Sequence, residues 1–244
     1  MNVPIFVTII GSHMWGMTHG GSDTDLFVVY AESTNRILAG ENKESWETKY
    51  PWVDIITHEI KKVVQQLTKG NYNFVVGLNS PCVVVTSTFH EELKEIFQYE
   101  LEQAPGAVFE SIHSMAMANY KKYILENVDN SPDRIRKIMR SLFYGINVME
   151  NPLEVGQFNI QEMTAYKEDK AVSDLSDSTR ANLVNLMKLY KDRHEKLDPQ
   201  KTTIDPRNLV NWLVQTRKDL VLAENATDVW RKLTRVNLSG GLND

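Results

Sequence analysis

One cysteine, Cys82, stands in the whole chain. An intramolecular disulfide is therefore excluded, and such sparing use of cysteine fits a reducing compartment. Neither a C-x-x-C nor an H-x-x-x-H spacing occurs, so a zinc site would have to rely on scattered histidines. No apolar run approaches the roughly 20 residues that span a bilayer. Val3–Ile10 is apolar but short. It lacks the basic flank and small-residue cleavage site of a signal peptide, and it reads as a buried strand. The expectation is a cytoplasmic protein with no membrane partner. Positive charge is not in surplus either. The formal net charge is −5. Residues 1–104 hold 7 Lys+Arg against 13 Asp+Glu, and residues 105–244 hold 20 against 19. Proteins that track many phosphates of a nucleic acid carry a basic excess, so any polyanion site here is local. Internal repeats and low-complexity tracts are absent.

What is present is enough for a core: 42% of the 244 residues are hydrophobic, which suits one large domain or two small ones. Residues 1–90 alternate strand and helix signals. Val3–Ile10 is the first strand, 25–30 the second and 52–56 a third. Ile60, Val63, Val64 and Leu67 fall at helical spacing, which predicts a helix over 57–68 stopped by Gly70. The apolar runs 74–78 and 83–85 suit either strands or short buried segments. Beyond residue 90 the pattern turns helical, over 91–102, 107–128, 131–149, 178–196, 205–221 and 226–235, with Pro132 and Pro206 at positions where helix starts tolerate proline. The expected fold class is α+β: an α/β domain over 1–104 followed by a helical domain over 105–244, ending in a frayed tail at 239–244.

The chemistry concentrates between Gly11 and Val29. Asp23 and Asp25 stand two apart at the head of a strand candidate, and residues i and i+2 of a strand share a face. Two carboxylates on one face repel each other unless a cation or proton lies between them. Mg²⁺ or Mn²⁺, bound through oxygen, removes the conflict. Upstream, Gly11-Ser12 ends a buried strand. Glycine lets a phosphate come close to the backbone, and the serine hydroxyl and free N–H groups can hold its oxygens. Together these features describe a nucleoside triphosphate, such as ATP, held against metal. A bare D-x-D is weak evidence, since loops are rich in aspartate; the Gly-Ser upstream and the flanking strands give it weight.

Gly11-Ser12 followed by Gly21-Ser22-Asp23-x-Asp25 resembles the signature of the DNA polymerase β nucleotidyltransferase superfamily. The run Val53-Asp54-Ile55-Ile56-Thr57-His58-Glu59-Ile60, then Lys69-Gly70-Asn71-Tyr72-Asn73, looks like the branch linked to RNA repair, where a strand aspartate leads into a helix ending in K-G-N-P-[ND]. The stretch 134–149 with Gly156-Gln157-Phe158 is similar to the C-terminal helices of that branch. The resemblance implies a nucleotidyltransferase that moves a nucleoside monophosphate from a triphosphate to a hydroxyl by a two-metal mechanism. It implies metal ligation by Asp23, Asp25 and Asp54, with Asp54 on a neighbouring strand, and triphosphate contact by Gly11 and Ser12. Tyr72 and Gly77 depart from the branch: Tyr72 stands where proline is usual, and Gly77 near where a glutamate is frequent.

Other residues have bland and functional readings side by side. Ser22 caps a turn or touches phosphate. His13 and His19 are loop histidines or phosphate and base contacts. Trp15 is a packed aromatic or a base stack. Arg134, Arg136, Lys137 and Arg140 make a solvated basic face, or Arg136 and Arg140 clamp a triphosphate or an acceptor backbone. Lys121-Lys122 and Arg231-Lys232 read as solvated. Leu183, Leu186, Met187 and Tyr190 are helix core. Three functions stay open: transfer to an RNA or tRNA 3′ end; transfer to a protein or small molecule, as toxin-like or antibiotic-modifying relatives do; and a non-catalytic nucleotide-binding module.

Overall fold

The computed structural model describes residues 3–18, 20–126, 132–158, 177–224 and 235–236. They fall into two compact units. The first comprises described residues up to 68, those of 73–99 and those from 205 onward; the second comprises those of 69–72 and 100–204.

The first unit is built on a mixed six-stranded sheet. Its strands are β1 (Val3–Ile10), β2 (Thr24–Ala31), β3 (Ser45–Tyr50), β4 (Val53–Glu59), β5 (Val83–Thr86) and β6 (Arg235–Val236), in the order β3-β4-β2-β1-β5-β6. Only β2 and β4 run parallel; the other neighbours are antiparallel. Apolar residues of the central strands form the core: Ile5, Phe6, Phe27 and Val29 are each at most 2% exposed. The heads of β2 and β4 are only half-buried, and that wetter edge is where the carboxylates stand.

Short helices fill the connections: α1 (Gly11–Met14), α2 (Thr34–Leu38), α3 (Ile60–Leu67) and α4 (Tyr72–Asn79), followed by α5 (Thr88–Gln103). The helix expected over 57–68 is shorter at its start. Thr57, His58 and Glu59 extend β4 instead, pairing with Val28, Val29 and Tyr30. The side chain of Glu59 then caps α3 by accepting from Lys61 N at 2.8 Å. Ile60, Val63, Val64 and Leu67 are the buried face of α3, as their spacing predicts. The run around 74–78 is helical and 83–86 is a strand. Gly77 of α4 lies on Phe27, where an added Cβ would meet the ring at 2.7 Å, and its carbonyl accepts from the Thr8 hydroxyl at 2.8 Å. A glutamate cannot occupy this position without displacing the ring.

The second unit packs α6 (Gly106–Asn119), a π-helical turn at Tyr120–Leu125, α7 (Pro132–Glu150), a 3₁₀ turn at Pro152–Glu154 and α8 (Asp177–His194). Phe109 and Tyr190 stack face to face at 3.9 Å, and the Tyr190 hydroxyl donates to Phe109 O at 3.1 Å. Gly145 leaves room for that hydroxyl, which would be 2.1 Å from an added Cβ. The fully buried Tyr144 donates to Val155 O at 2.9 Å. Leu183, Leu186, Met187 and Tyr190 are buried, as expected for helix core.

A last helix, α9 (Pro206–Glu224), groups with the first unit, so the helical stretch expected over 105–244 divides between the two units. Of the helix expected over 226–235, only Arg235 is described, and it pairs with Thr86 as part of a strand; the remainder, with Arg231-Lys232 and the expected tail, lies outside the described residues. Among the described residues no helix is long and apolar enough to cross a membrane.

Candidate active site

β1 ends, and β2 and β4 begin, at the same edge of the sheet. Ile10 pairs with Asp25, and Asp25 pairs with Asp54 across the parallel β2–β4 ladder. Directly paired residues of neighbouring strands share a face, and Asp23 reaches it from just before β2. Carboxylate oxygens of Asp23, Asp25 and Asp54 all lie within 4.8 Å of one another. Asp23 is exposed, and the other two are half-buried.

Gly11 closes one wall. Its φ is +68°, and an added Cβ would stand 2.0 Å from Asp25 Oδ2. The sequence alone suggests that this glycine makes room for a phosphate; here the group that needs the room is the Asp25 carboxylate. Ser12 follows in α1, half-buried, and its carbonyl accepts from Met17 N at 2.8 Å. His13 Nε2 lies 3.5 Å from the hydroxyl of Thr24, the residue between the two aspartates. Trp15 is 4% exposed, which settles it as a packing residue. Ser22 is half-buried beside Asp23. His19 and the side chain of Arg136 lie outside the described residues. Arg140 is half-buried on α7 of the second unit, and Arg134 of the same helix covers the Tyr123 ring at 4.2 Å.

Two residues near the cluster escaped the sequence reading. Lys49 of β3 pairs with Asp54, and its Nζ lies 3.1 Å from Asp54 Oδ2 and 3.0 Å from Glu47 Oε1. Hydrogen bonds to Glu47 and then Asp54 hold the Lys49 ammonium above its ordinary pKa. Trp52, in the β3–β4 turn, accepts the N–H of Thr24 at 2.9 Å through its carbonyl. The signal available was the alternation of Ser45–Tyr50, masked by the polarity of an edge strand.

Three close carboxylates with one exposed lysine as counter-ion form a hard, oxygen-only donor set. That set fits a divalent cation of the Mg²⁺ or Mn²⁺ type, and it offers no soft ligand. Gly11 lets Asp25 enter the set without strain from a neighbouring side chain.

A sequence model of the RNA repair pathway DNA polymerase beta family matches residues 2–236. The chain belongs to this family. The resemblance carried by the Gly-Ser and D-x-D segments is thereby established, and the family is one of polymerase β-like nucleotidyltransferases. One relative is the uncharacterized protein MJ0002 of Methanocaldococcus jannaschii, 25% identical over 163 residues, which are 62% of this chain and 62% of that protein. The chain thus matches less than two thirds of that relative's length.

Proposed function

We propose that the protein is a metal-dependent nucleotidyltransferase that moves a nucleoside monophosphate from a triphosphate to an acceptor hydroxyl: the hydroxyl loses its proton, its oxygen bonds to the α-phosphorus, and the bond from the α-phosphorus to the bridging oxygen breaks to release pyrophosphate. The convergence of Asp23, Asp25 and Asp54 within 4.8 Å carries this reading, and family membership supports it. Asp23 and Asp25 would hold the metal that accompanies the triphosphate, and Asp25 and Asp54 the metal next to the acceptor. When bound, such cations would neutralise the triphosphate and lower the pKa of the attacking hydroxyl. Asp54, on the β3 side of the cluster, orients that hydroxyl. Gly11 keeps Asp25 in place, while Ser12 and Ser22 supply hydroxyls to phosphate oxygens. The chain's own contribution is placement and preorganised charge.

An RNA or tRNA 3′ end is the acceptor we favour, because the family description names RNA repair. Arg136 and Arg140 are the phosphate contacts we assign to the helical unit. The experiment is to incubate the protein with each labelled triphosphate, Mg²⁺ or Mn²⁺ and total RNA or lysate, alongside Asp25→Asn. Label enters the RNA fraction with wild type and not with the variant. Label in protein or small molecules alone would move the acceptor to the other class, and undiminished turnover by Asp25→Asn would remove the triad from the chemistry.

A further inference from the structure

We infer that the β3–β4 hairpin is the acceptor subsite, with Trp52 as a stacking platform for the terminal base of a single-stranded nucleic acid and Lys49 as the cation beside its last phosphate. The inference rests on the transferase reading above and names where and how that reaction's acceptor binds.

Position is the first support. Trp52 O accepts the N–H of Thr24, the residue between Asp23 and Asp25. Asp54 follows Trp52 by two residues. The main chain of Trp52 is therefore hydrogen-bonded to the segment that carries two of the three carboxylates.

The order of the strands is the second. Gly11-Ser12 stands at the end of β1, the aspartates at the heads of β2 and β4, and Lys49 on β3. Neighbouring strands lie about 4.8 Å apart, so about 14 Å separates the β1 and β3 sides. A triphosphate seated at Gly11-Ser12 leaves the β3 side open to the attacking group.

Chemistry is the third. Trp52 is 70% exposed, although tryptophan is highly buried on average. Among the described residues no ring is stacked on it. An indole face in water, two residues from Asp54, suits a nucleobase, because every base offers a π-face. Lys49 is the cation on the same side, bound to Asp54. Tyr50 is 59% exposed but pairs with Val53, so its side chain leaves the opposite face of the sheet. One indole and one ammonium fit a short strand end. They do not fit a long duplex, whose many phosphates would call for a basic excess that a net charge of −5 does not offer.

The test uses the whole chain with a labelled short oligoadenylate bearing a free 3′ hydroxyl, and the same strand lacking its terminal base. Binding is read by fluorescence anisotropy, and Mg²⁺–triphosphate binding by calorimetry. Trp52→Ala is expected to weaken oligoadenylate binding about tenfold, and Trp52→Phe to restore most of it. The strand without its terminal base should bind wild type about as weakly and ignore the substitution. Triphosphate affinity should stay within about twofold. Three results would overturn the platform: unchanged oligoadenylate binding in Trp52→Ala, an equal loss for the strand without the base, or a loss of triphosphate affinity that matches the loss for RNA. Failure of wild type to bind metal and triphosphate would strike the transferase reading instead, so the two failures are told apart.

Discussion

The Cα of Gly11 and the carboxylate of Asp25 are packed so closely that the side chain missing from one is the space occupied by the other. An added Cβ would stand 2.0 Å from Asp25 Oδ2 and 3.0 Å from its Cγ. The glycine of the Gly-Ser pair therefore serves the second aspartate of the D-x-D pair, across the β1–β2 ladder that pairs Ile10 with Asp25.

Gly11→Ala is accordingly expected to lose metal binding as well as stability. Non-glycine residues at positive φ cost about 1–3 kcal/mol, which sets the expected loss of folding free energy. The new methyl forces Asp25 out of the cluster, and affinity for Mn²⁺ with triphosphate should fall by at least about tenfold, since the lost ligand is charged. Calorimetry and thermal melts separate the two effects. A lowered melting temperature with wild-type metal affinity would confine the glycine to a backbone role.

Lys49 competes with metal for Asp54. Its ammonium lies 3.1 Å from Asp54 Oδ2, and the lysine itself is largely solvent-exposed. Lys49→Met should leave melting temperature nearly unchanged in moderate salt, because exposed pairs contribute little to stability. It should tighten Mg²⁺ or Mn²⁺ binding by a factor of about two to five, because a repelling charge is gone. The same variant should bind oligoadenylate more weakly. Metal binding weakened by Lys49→Met would show that the lysine organises the triad and does not compete for it.

Arg217 of α9 makes a different kind of contact. Its guanidinium pairs with Glu59, which is 2% exposed, and donates to Glu32 O at 2.9 Å. Glu59 also accepts from Glu32 N at 3.3 Å, and the carboxylate of Glu32 is held by Arg36 at 3.3 Å. Nearby, burial first, then Glu32 and Glu59, push the Tyr30 hydroxyl up to about 12. Arg217→Ala leaves a buried carboxylate without its main counter-ion, a change that costs about 3–5 kcal/mol. Adding Glu59→Gln should recover part of the loss, because the stranded charge is removed. Chemical denaturation of the single and double variants measures both. Additive losses would mean the pair contributes through packing alone.

Much of the sheet was legible because its strands carry their burial in their composition: Val3–Ile10 and the run Leu26 to Tyr30 are apolar and β-branched, and they form β1 and most of β2. The paired aspartates were legible because repulsion makes D-x-D chemically costly without a cation, and Asp54 through the resemblance. β3 was not, since Ser-Trp-Glu-Thr-Lys-Tyr is the composition of an exposed edge as much as of a loop. With β3 went Lys49, whose importance comes only from its register with Asp54. The start of α3 was misplaced because Thr57, His58 and Glu59 have no periodicity of their own; a parallel partner strand decides them. The Arg217–Glu59 pair joins residues 158 apart in sequence, a distance over which one surface-type arginine looks like any other.

Two buried histidines make the first unit sensitive to acid. His58 is 8% exposed and His90 is 2% exposed. Burial pushes each from 6.5 down to about 4, with Lys62 and Lys94 respectively adding to the effect. Both are held neutral. His90 Nε2 donates to Leu78 O at 3.1 Å, leaving Nδ1 to accept from the Thr86 hydroxyl at 3.0 Å, and the ring stacks on Phe6 at 4.1 Å. His58 Nδ1 lies 2.6 Å from the Ser45 hydroxyl. An unfolded histidine titrates near 6.5, so between that pH and about 4 the unfolded chain binds more protons than the folded one. The stabilisation is fully present above the unfolded value and drains away as pH falls through this window. It is on the order of 2 kcal/mol per histidine once solvent screening is allowed for. His58→Asn keeps an acceptor for Ser45 and cannot take up a proton. Between about pH 6.5 and 5, where carboxylates remain mostly ionised, unfolding free energy of the variant should fall with roughly half the wild-type slope. Urea titrations at several pH values measure that slope, and an identical slope in His58→Asn would assign the acid sensitivity to groups other than this buried ring.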